Sequence, residues 1–146
     1  MRRSFLGLAL AAIVVIGGAA NPGVLVYQVQ LVRGTDSPSA PTADSHKVAP
    51  ALAHSFQNVF KWKHYWLIHS QQIRVALGQK QRTRFDSDRE VEIDLTDPAK
   101  RTVAAFDRGR VVERTICPRG PTMTLIGRDR DQVSAWFIVV RPESPK

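Results

Sequence analysis

The sequence predicts a small α+β or mainly-β domain, with an antiparallel sheet of about five or six strands, behind an apolar N-terminal segment and a linker. Three observations lead to this prediction: alternating apolar residues late in the chain, tight turns between strand-like stretches, and a Pro/Ser-rich stretch after the apolar segment. At 146 residues the chain has room for one domain of ordinary size.

The N-terminal segment is predicted to direct the chain to a membrane. Arg2 and Arg3 precede an uncharged run over residues 4–32. A spanning helix needs about 20 apolar residues, and arginines at the start favour a cytoplasmic N-terminus with the remainder outside. We therefore expect a signal-anchor over residues 1–33 and a single-pass membrane protein.

A cleaved leader is the alternative interpretation of this segment. Residues 5–16 also suit the apolar part of a signal peptide, and Gly18 and Ala20 are small residues at the positions that cleavage requires. Cleavage near Ala20 would release a periplasmic or secreted protein. Residues 24–32 would then form a β-strand, because they are valine-rich and partly alternating.

Residues 34–50 are predicted to be a linker, since they hold three prolines, several serines and alanines, and few large apolar side chains. The domain would then cover residues 51–146. Apolar residues at helical spacing predict a short helix over residues 52–60. Residues 61–77 fit helix and strand about equally.

The strands are predicted mainly from residue 90 onward. Val91, Ile93 and Leu95 alternate with acidic residues, which is typical of a strand with one dry and one wet face. Gly109 allows a tight turn between two strands, and the nearly all-apolar last strand should be buried on both faces. The expected strands are residues 90–95, 102–106, 111–117, 122–126 and 133–140.

The net charge of +8 is concentrated in one segment. Residues 86–146 hold eleven basic and eleven acidic residues, whereas residues 46–84 hold no acidic residue and all four histidines. An excess of positive charge attracts anionic partners or surfaces. The basic residues of this segment are Lys47, Lys61, Lys63, Arg74, Lys80, Arg82 and Arg84.

Aromatic and basic residues alternate within this segment and are the candidate binding residues. Rings of this kind can lie at a lipid headgroup layer or stack against an anionic polymer while lysines meet the negative charge. The alternative is that the rings belong to the core and the lysines face water. The candidates are Lys61, Trp62, Lys63, His64, Tyr65, Trp66 and Arg74.

No catalytic residue, metal ligand or cofactor is predicted. The histidines lack the compact spacing to cysteines or carboxylates that a zinc site needs, and Cys117 as a nucleophile would need a histidine close in space. No glycine-rich phosphate loop or other catalytic motif occurs in the chain.

The function expected from these features is that of a non-enzymatic envelope protein, an accessory subunit or adaptor. Its partner would be an anionic envelope component, lipid headgroups or a protein subunit of a membrane complex. Nucleic acid is not expected, because an exported domain would rarely meet it. The alternatives are a small secreted enzyme and a cleaved soluble binding protein.

Overall fold

Nine strands and one helix make up the part of the chain that the structure describes, namely residues 23–129 and 133–143 of a computed structural model. The prediction of a mainly-β domain with antiparallel pairing is confirmed, with more strands than expected. In chain order the elements are β1 (Val24–Thr35), β2 (His46–Lys47), α1 (Pro50–Gln57), β3 (His64–Ala76), β4 (Lys80–Arg84), β5 (Arg89–Asp94), β6 (Lys100–Asp107), β7 (Arg110–Pro118), β8 (Thr124–Asp129) and β9 (Ser134–Pro142).

The strands form two antiparallel sheets. The five-stranded sheet has the order β2-β3-β1-β9-β8, and the four-stranded sheet has the order β4-β5-β6-β7. Strand β3 turns directly into β4, and β7 is followed by β8, so the sheets contact each other where the chain passes between them. Strand β1 lies between β3 and β9 and therefore holds the first and last parts of the fold together.

The two sheets bury a shared apolar core between them. The expected dry face is present on β5 and the residue that follows it, because Val91, Ile93 and Leu95 are fully buried. Strand β9 is buried on both faces from Ser134 to Val140, as its continuous apolar sequence predicts. Strand β1 contributes alternate residues to the same core: Tyr27, Val29 and Leu31.

Helix α1 covers the outer face of the five-stranded sheet and creates a second core. Pro50 lies in its first turn, where the missing N–H group costs nothing. Leu52 and Phe56 are the buried residues of the helix. They pack against Tyr65 of β3 and Phe137 of β9, so the helix is held by aromatic contacts with two strands.

The domain boundaries differ from those predicted. Residues 24–35 form a strand in the middle of the sheet, although the sequence suggests an anchor extending to residue 33. An apolar run is compatible with a membrane span or a buried strand, and here its valines and tyrosine pack between the sheets. The described fold therefore begins at Val24 rather than at residue 51.

The predicted linker also belongs to the described fold. Residues 36–45 carry no helix or strand, yet Ser45 and Val48 are buried, and the backbone N–H of Val48 donates to the carbonyl oxygen of Tyr65 at 3.2 Å. The segment therefore packs along the sheet edge despite its Pro/Ser-rich composition.

The predicted leader or anchor falls mainly on residues 1–22, which lie outside the described residues, and it stays a prediction. Within residues 23–129 and 133–143, no helix has the length and hydropathy needed to cross a bilayer.

Candidate functional site

The three rings of the predicted binding segment lie in the interior of the fold. Trp62, Tyr65 and Trp66 are 3%, 4% and 8% exposed. Tyr65 packs with its ring centroid 5.0 Å from that of Phe56. Burial raises the pKa of the Tyr65 hydroxyl, the carboxylate of Asp36 raises it further, and the nearby Trp62 backbone opposes the rise. These rings therefore offer little surface for stacking against a partner.

The lysines beside these rings face solvent. Lys61 extends over Trp62, with its ammonium 4.6 Å from the ring centroid, and Lys47 lies 5.7 Å from the Trp66 ring in the same manner. Lys63 is exposed. Among the residues that the structure describes, no carboxylate oxygen lies within 4.0 Å of the ammonium groups of Lys47, Lys61 or Lys63. These three lysines form a cationic edge that has no ion pair with a carboxylate of the described residues.

Arg74 does not belong to this edge. It lies ten residues after His64 on β3, and a strand rises ~3.3 Å per residue, so the two positions are roughly 30 Å apart. We call the end of the sandwich formed by residues 33–36 and 61–66 the distal end. The end formed by residues 23–26 and 74–80 is the proximal end, and only this end contains Arg74.

The proximal end combines exposed apolar side chains with a cation. Val24, Leu25 and Leu77 are 43%, 38% and 40% exposed. The backbone N–H of Leu77 donates to the carbonyl oxygen of Gly23 at 2.8 Å, which places this turn beside the start of β1. Arg74 is exposed and pairs across the strands with Val26. The patch adjoins the point where residues 1–22 join the domain.

The other basic residues of the segment 46–84 lie across the sheet from acidic residues. On β4 and β5 the cross-strand pairs are Lys80 with Asp94, Arg82 with Glu92, and Arg84 with Glu90. The Arg82 Nε atom lies 3.0 Å from Glu90 Oε2. These pairings reduce the local excess of positive charge. What remains lies at Arg74 and at the edge formed by Lys47, Lys61 and Lys63, which we call the distal cationic edge.

A cavity of about 190 Å³ opens at the distal end, between β1, β9 and the turn from β4 to β5. Its lining combines apolar side chains with two guanidinium groups and one carboxylate. The lining residues include Leu31, Ile68, Trp136, Arg33, Asp86 and Arg89.

Arg89 is held firmly in this cavity. Its Nη1 atom donates to Asp86 Oδ2 at 2.7 Å, its guanidinium carbon lies 5.4 Å from the Trp136 ring centroid, and its side chain is 12% exposed. Burial by itself would raise the pKa of Asp86. The backbone N–H groups of Asp88 and Arg89, together with the Arg89 guanidinium, outweigh burial and lower that pKa, so the carboxylate stays ionised.

A second, more open pocket of about 400 Å³ adjoins the cavity and shares Arg33 and Pro41 with it. The Arg33 guanidinium donates to Ser134 Oγ at 2.8 Å. Four hydroxyl-bearing residues line this pocket: Thr35, Ser37, Ser39 and Ser134. Cationic, apolar and hydroxyl groups therefore occur together at the distal end.

Sequence reasoning missed this constellation. Arg33 and residues 35–42 fall on the predicted anchor and linker, and Asp86 precedes the strand expected at residues 90–95. Trp136 is one more apolar residue in a buried strand. No local spacing links these positions, because the sheet pairing alone places Arg33 opposite Trp136.

Cys117 lies at the proximal end of the fold. Its Sγ atom is 3.6 Å from the carbonyl oxygen of Arg101 and 3.6 Å from Thr124 Oγ1. Within the described residues it has no hydrogen bond to a histidine, and no group of three or more His, Cys, Asp or Glu side chains is arranged to hold a metal ion. The thiol therefore lies apart from the distal cavity.

Comparisons with known proteins identify no relative. No protein-family model, no curated protein and no solved structure matches this chain. Function is therefore inferred from the placement of charge, apolar surface and cavities in the described fold.

Proposed function

We propose that this chain is a non-enzymatic envelope protein, tethered to a membrane by its N-terminal segment, that acts as an accessory subunit or adaptor. The N-terminus would lie in the cytoplasm and the β domain outside. Strand β1 uses residues 24–35, so the tether would be the run over residues 4–23, about the length of one spanning helix. The observation that carries the proposal is the apolar and cationic patch beside Gly23.

The position of this patch favours a domain that rests on the lipid surface. With β1 starting at Val24, the proximal end must lie close to any bilayer that holds the preceding residues. Leu25 and Leu77 would enter the headgroup boundary, where apolar side chains leave water. Arg74 would meet anionic headgroups, a contact worth about 1 kcal/mol near the membrane surface.

This orientation can be tested with an environment-sensitive dye on single cysteines. The protein used is the full-length chain with Cys117→Ser, reconstituted into vesicles. The emission maximum of a dye at Leu77→Cys should lie at shorter wavelength there than in the same protein in detergent. The same dye at Lys63→Cys, at the distal end, should not shift. The shift at position 77 should be larger in vesicles with anionic lipid, and Arg74→Glu should reduce that increase because it reverses the charge next to the headgroups.

Equal emission changes at positions 63 and 77 would contradict this orientation. No change at either position would contradict lipid contact by the folded domain altogether. Both results can be obtained with the tether intact.

The distal cationic edge would then point away from the membrane and bind an anionic envelope component or an acidic protein subunit. Full-length Lys61→Glu/Lys63→Glu protein should leave an immobilised polyphosphate resin at clearly lower salt than the wild type. Two charges are reversed at a site where the wild-type lysines have no ion pair with a described carboxylate.

Arg108→Glu/Arg110→Glu is the matched control, because it reverses the same number of charges in the exposed turn between β6 and β7. An equal drop in elution salt for both double variants would mean that net charge alone governs retention. Such a result would remove the distal edge as the binding surface.

A cleaved, soluble binding protein of the envelope is the second candidate. Gly18 and Ala20 would be followed by only three residues before β1, so cleavage there would leave the sheet intact. A native mature chain that begins at Asn21, as measured by mass spectrometry, would replace the tethered form of the proposal with this one. The surfaces proposed for binding would stay the same.

A further inference from the structure

Strand β4 borders the four-stranded sheet, and no strand of the described residues pairs with its outer side. On its inner side β4 pairs with β5 from Lys80 with Asp94 to Arg84 with Glu90, without a register shift. A regular border of this kind presents a row of backbone donors and acceptors with which a further strand can pair.

The hydrogen bonds at the two ends of β4 show which backbone groups point outward. The carbonyl oxygen of Gln79 accepts from the N–H of Leu95, and the N–H of Phe85 donates to the carbonyl oxygen of Arg89. Residues that bond to the neighbouring strand alternate with residues that do not, so the odd-numbered positions of β4 bond toward β5. The three basic residues of β4 lie between them, and their N–H and C=O groups therefore point to the open side.

The other edge strands are shorter or better protected. Strand β2 has two residues, β7 pairs with β6 through a bulge and ends at Pro118, and the backbone N–H of Gly127 on β8 donates to Glu113 Oε2 at 2.8 Å. Strand β3 is uncovered beyond Leu67, but Arg74 is the single arginine or lysine on that stretch. Strand β4 is regular and carries three cations, so its protection against pairing is electrostatic.

These cations lie on the outer face of the sheet and are only partly neutralised. One carboxylate serves both arginines, because Glu90 Oε2 lies 3.0 Å from Arg82 Nε and Glu90 Oε1 lies 3.7 Å from Arg84 Nη2. The Arg84 side chain is 66% exposed. A guanidinium group has five N–H donors, so both arginines retain donors for a second carboxylate.

Cross-strand neighbours define what can pair with this edge. Like charges directly opposite each other on adjacent strands are destabilising, whereas opposite charges stabilise the pair. Within the fold, β5 meets the same three cations with Glu90, Glu92 and Asp94 at every second position. Gln81 and Thr83 lie between the cations, so the alternate residues of an incoming strand meet polar side chains. A second copy of β4 would place cations opposite cations, which disfavours pairing between two copies of the chain.

We propose that β4 is the docking edge for an acidic, extended segment of a partner protein, which adds a strand to the four-stranded sheet. The segment pairs with the outward backbone groups of Lys80, Arg82 and Arg84, and its acidic side chains, at every second residue, lie beside these cations. Strand β4 runs from the proximal toward the distal end, so the segment lies along the side of the domain. The three residues belong neither to the distal cationic edge nor to the patch beside Gly23, so this site and the proposed function are tested separately.

Fluorescence anisotropy with labelled peptides tests the site in the full-length protein in detergent. The first peptide alternates three glutamates with threonines, the second has the same composition with its glutamates consecutive, and the third alternates lysines with threonines. The alternating acidic peptide should bind saturably and about fivefold more tightly than the consecutive one, because only alternation places all its carboxylates on one face of a strand. The lysine peptide should not bind.

Two substitutions at one position separate backbone pairing from charge. Arg84→Gln removes a cation and keeps the outward N–H group, whereas Arg84→Pro removes both and breaks no bond to β5. The proline variant should bind the alternating acidic peptide about fivefold more weakly than the glutamine variant, which is the usual effect of losing one hydrogen bond. Urea unfolding of both variants shows whether the fold is retained.

Arg114→Gln is the matched control, because it removes an exposed cation from β7 in the same sheet, and its affinity should equal that of the wild type. The proposal is overturned if the consecutive peptide binds as tightly as the alternating one, or if folded Arg84→Pro binds as tightly as Arg84→Gln. It is also overturned if Arg114→Gln weakens binding as much as Arg84→Gln, a comparison that stands even if the proline variant does not fold.

Discussion

Phe137→Ala is expected to destabilise the domain by about 3–5 kcal/mol, the usual cost of deleting a buried aromatic side chain. Phe137 is 5% exposed on β9. Its ring centroid lies 4.5 Å from that of Phe60, 6.2 Å from that of Phe56 and 6.5 Å from that of Tyr65. The substitution therefore leaves a cavity at the point where α1 meets the sheet.

The expected loss is a large fraction of the ~5–15 kcal/mol that stabilises an ordinary domain. Equilibrium unfolding in urea would measure it as a lower midpoint. Hydrogen exchange in α1 should accelerate before exchange in β5, since the helix is held mainly by this aromatic cluster, whereas β5 packs in the other core.

Ile116→Ala is the control for this experiment, because Ile116 is a large apolar residue on β7 that is 62% exposed. Its loss should change stability by less than about 0.5 kcal/mol. A cost below about 1 kcal/mol for Phe137→Ala would mean that the helix does not depend on this cluster.

The second half of the chain could be predicted from sequence because its signals are local. The strands expected at residues 90–95, 102–106, 111–117, 122–126 and 133–140 correspond to β5 to β9, with small differences at the ends. Alternation on β5 and the continuous apolar run of β9 each identify a strand without knowledge of its partner.

The first half could not be predicted because its patterns depend on distant pairing. Residues 61–77 are ambiguous in sequence since a β-bulge interrupts the pairing of β3 with β1 between Leu31 and Val32. Before the bulge Tyr65 packs toward the helix, whereas after it Ile73 and Val75 pack between the sheets. One strand thus changes its buried face, and no single alternation covers it.

The candidate site was difficult to predict from the sequence for a related reason. Composition identifies aromatic and basic residues over 61–66 but does not show that the rings are interior. The distal cavity joins residues that are about fifty positions apart along the chain: Arg33, Arg89 and Trp136. Their proximity follows from the order of the strands, which a single sequence does not specify.

Gly34→Ala is expected to destabilise the domain by about 1–3 kcal/mol through overpacking. A Cβ atom at this position would lie 2.6 Å from Cδ1 and 2.9 Å from Cγ of Trp62, and 3.1 Å from Cε2 of Phe137. Both rings are buried, so neither can move aside into solvent. Urea unfolding of the single variant would measure the cost.

The cause can be isolated with Trp62→Ala, which removes the Cγ and Cδ1 atoms that the new methyl group would meet. Gly34→Ala should cost clearly less in the Trp62→Ala background than in the wild type, giving a coupling energy of about 0.5–3 kcal/mol between the two positions. Gly23→Ala is the matched control, because the nearest atom to its Cβ is the end of a flexible leucine side chain at 3.0 Å. Equal costs in both backgrounds would show that the tryptophan contact is not the reason for glycine here.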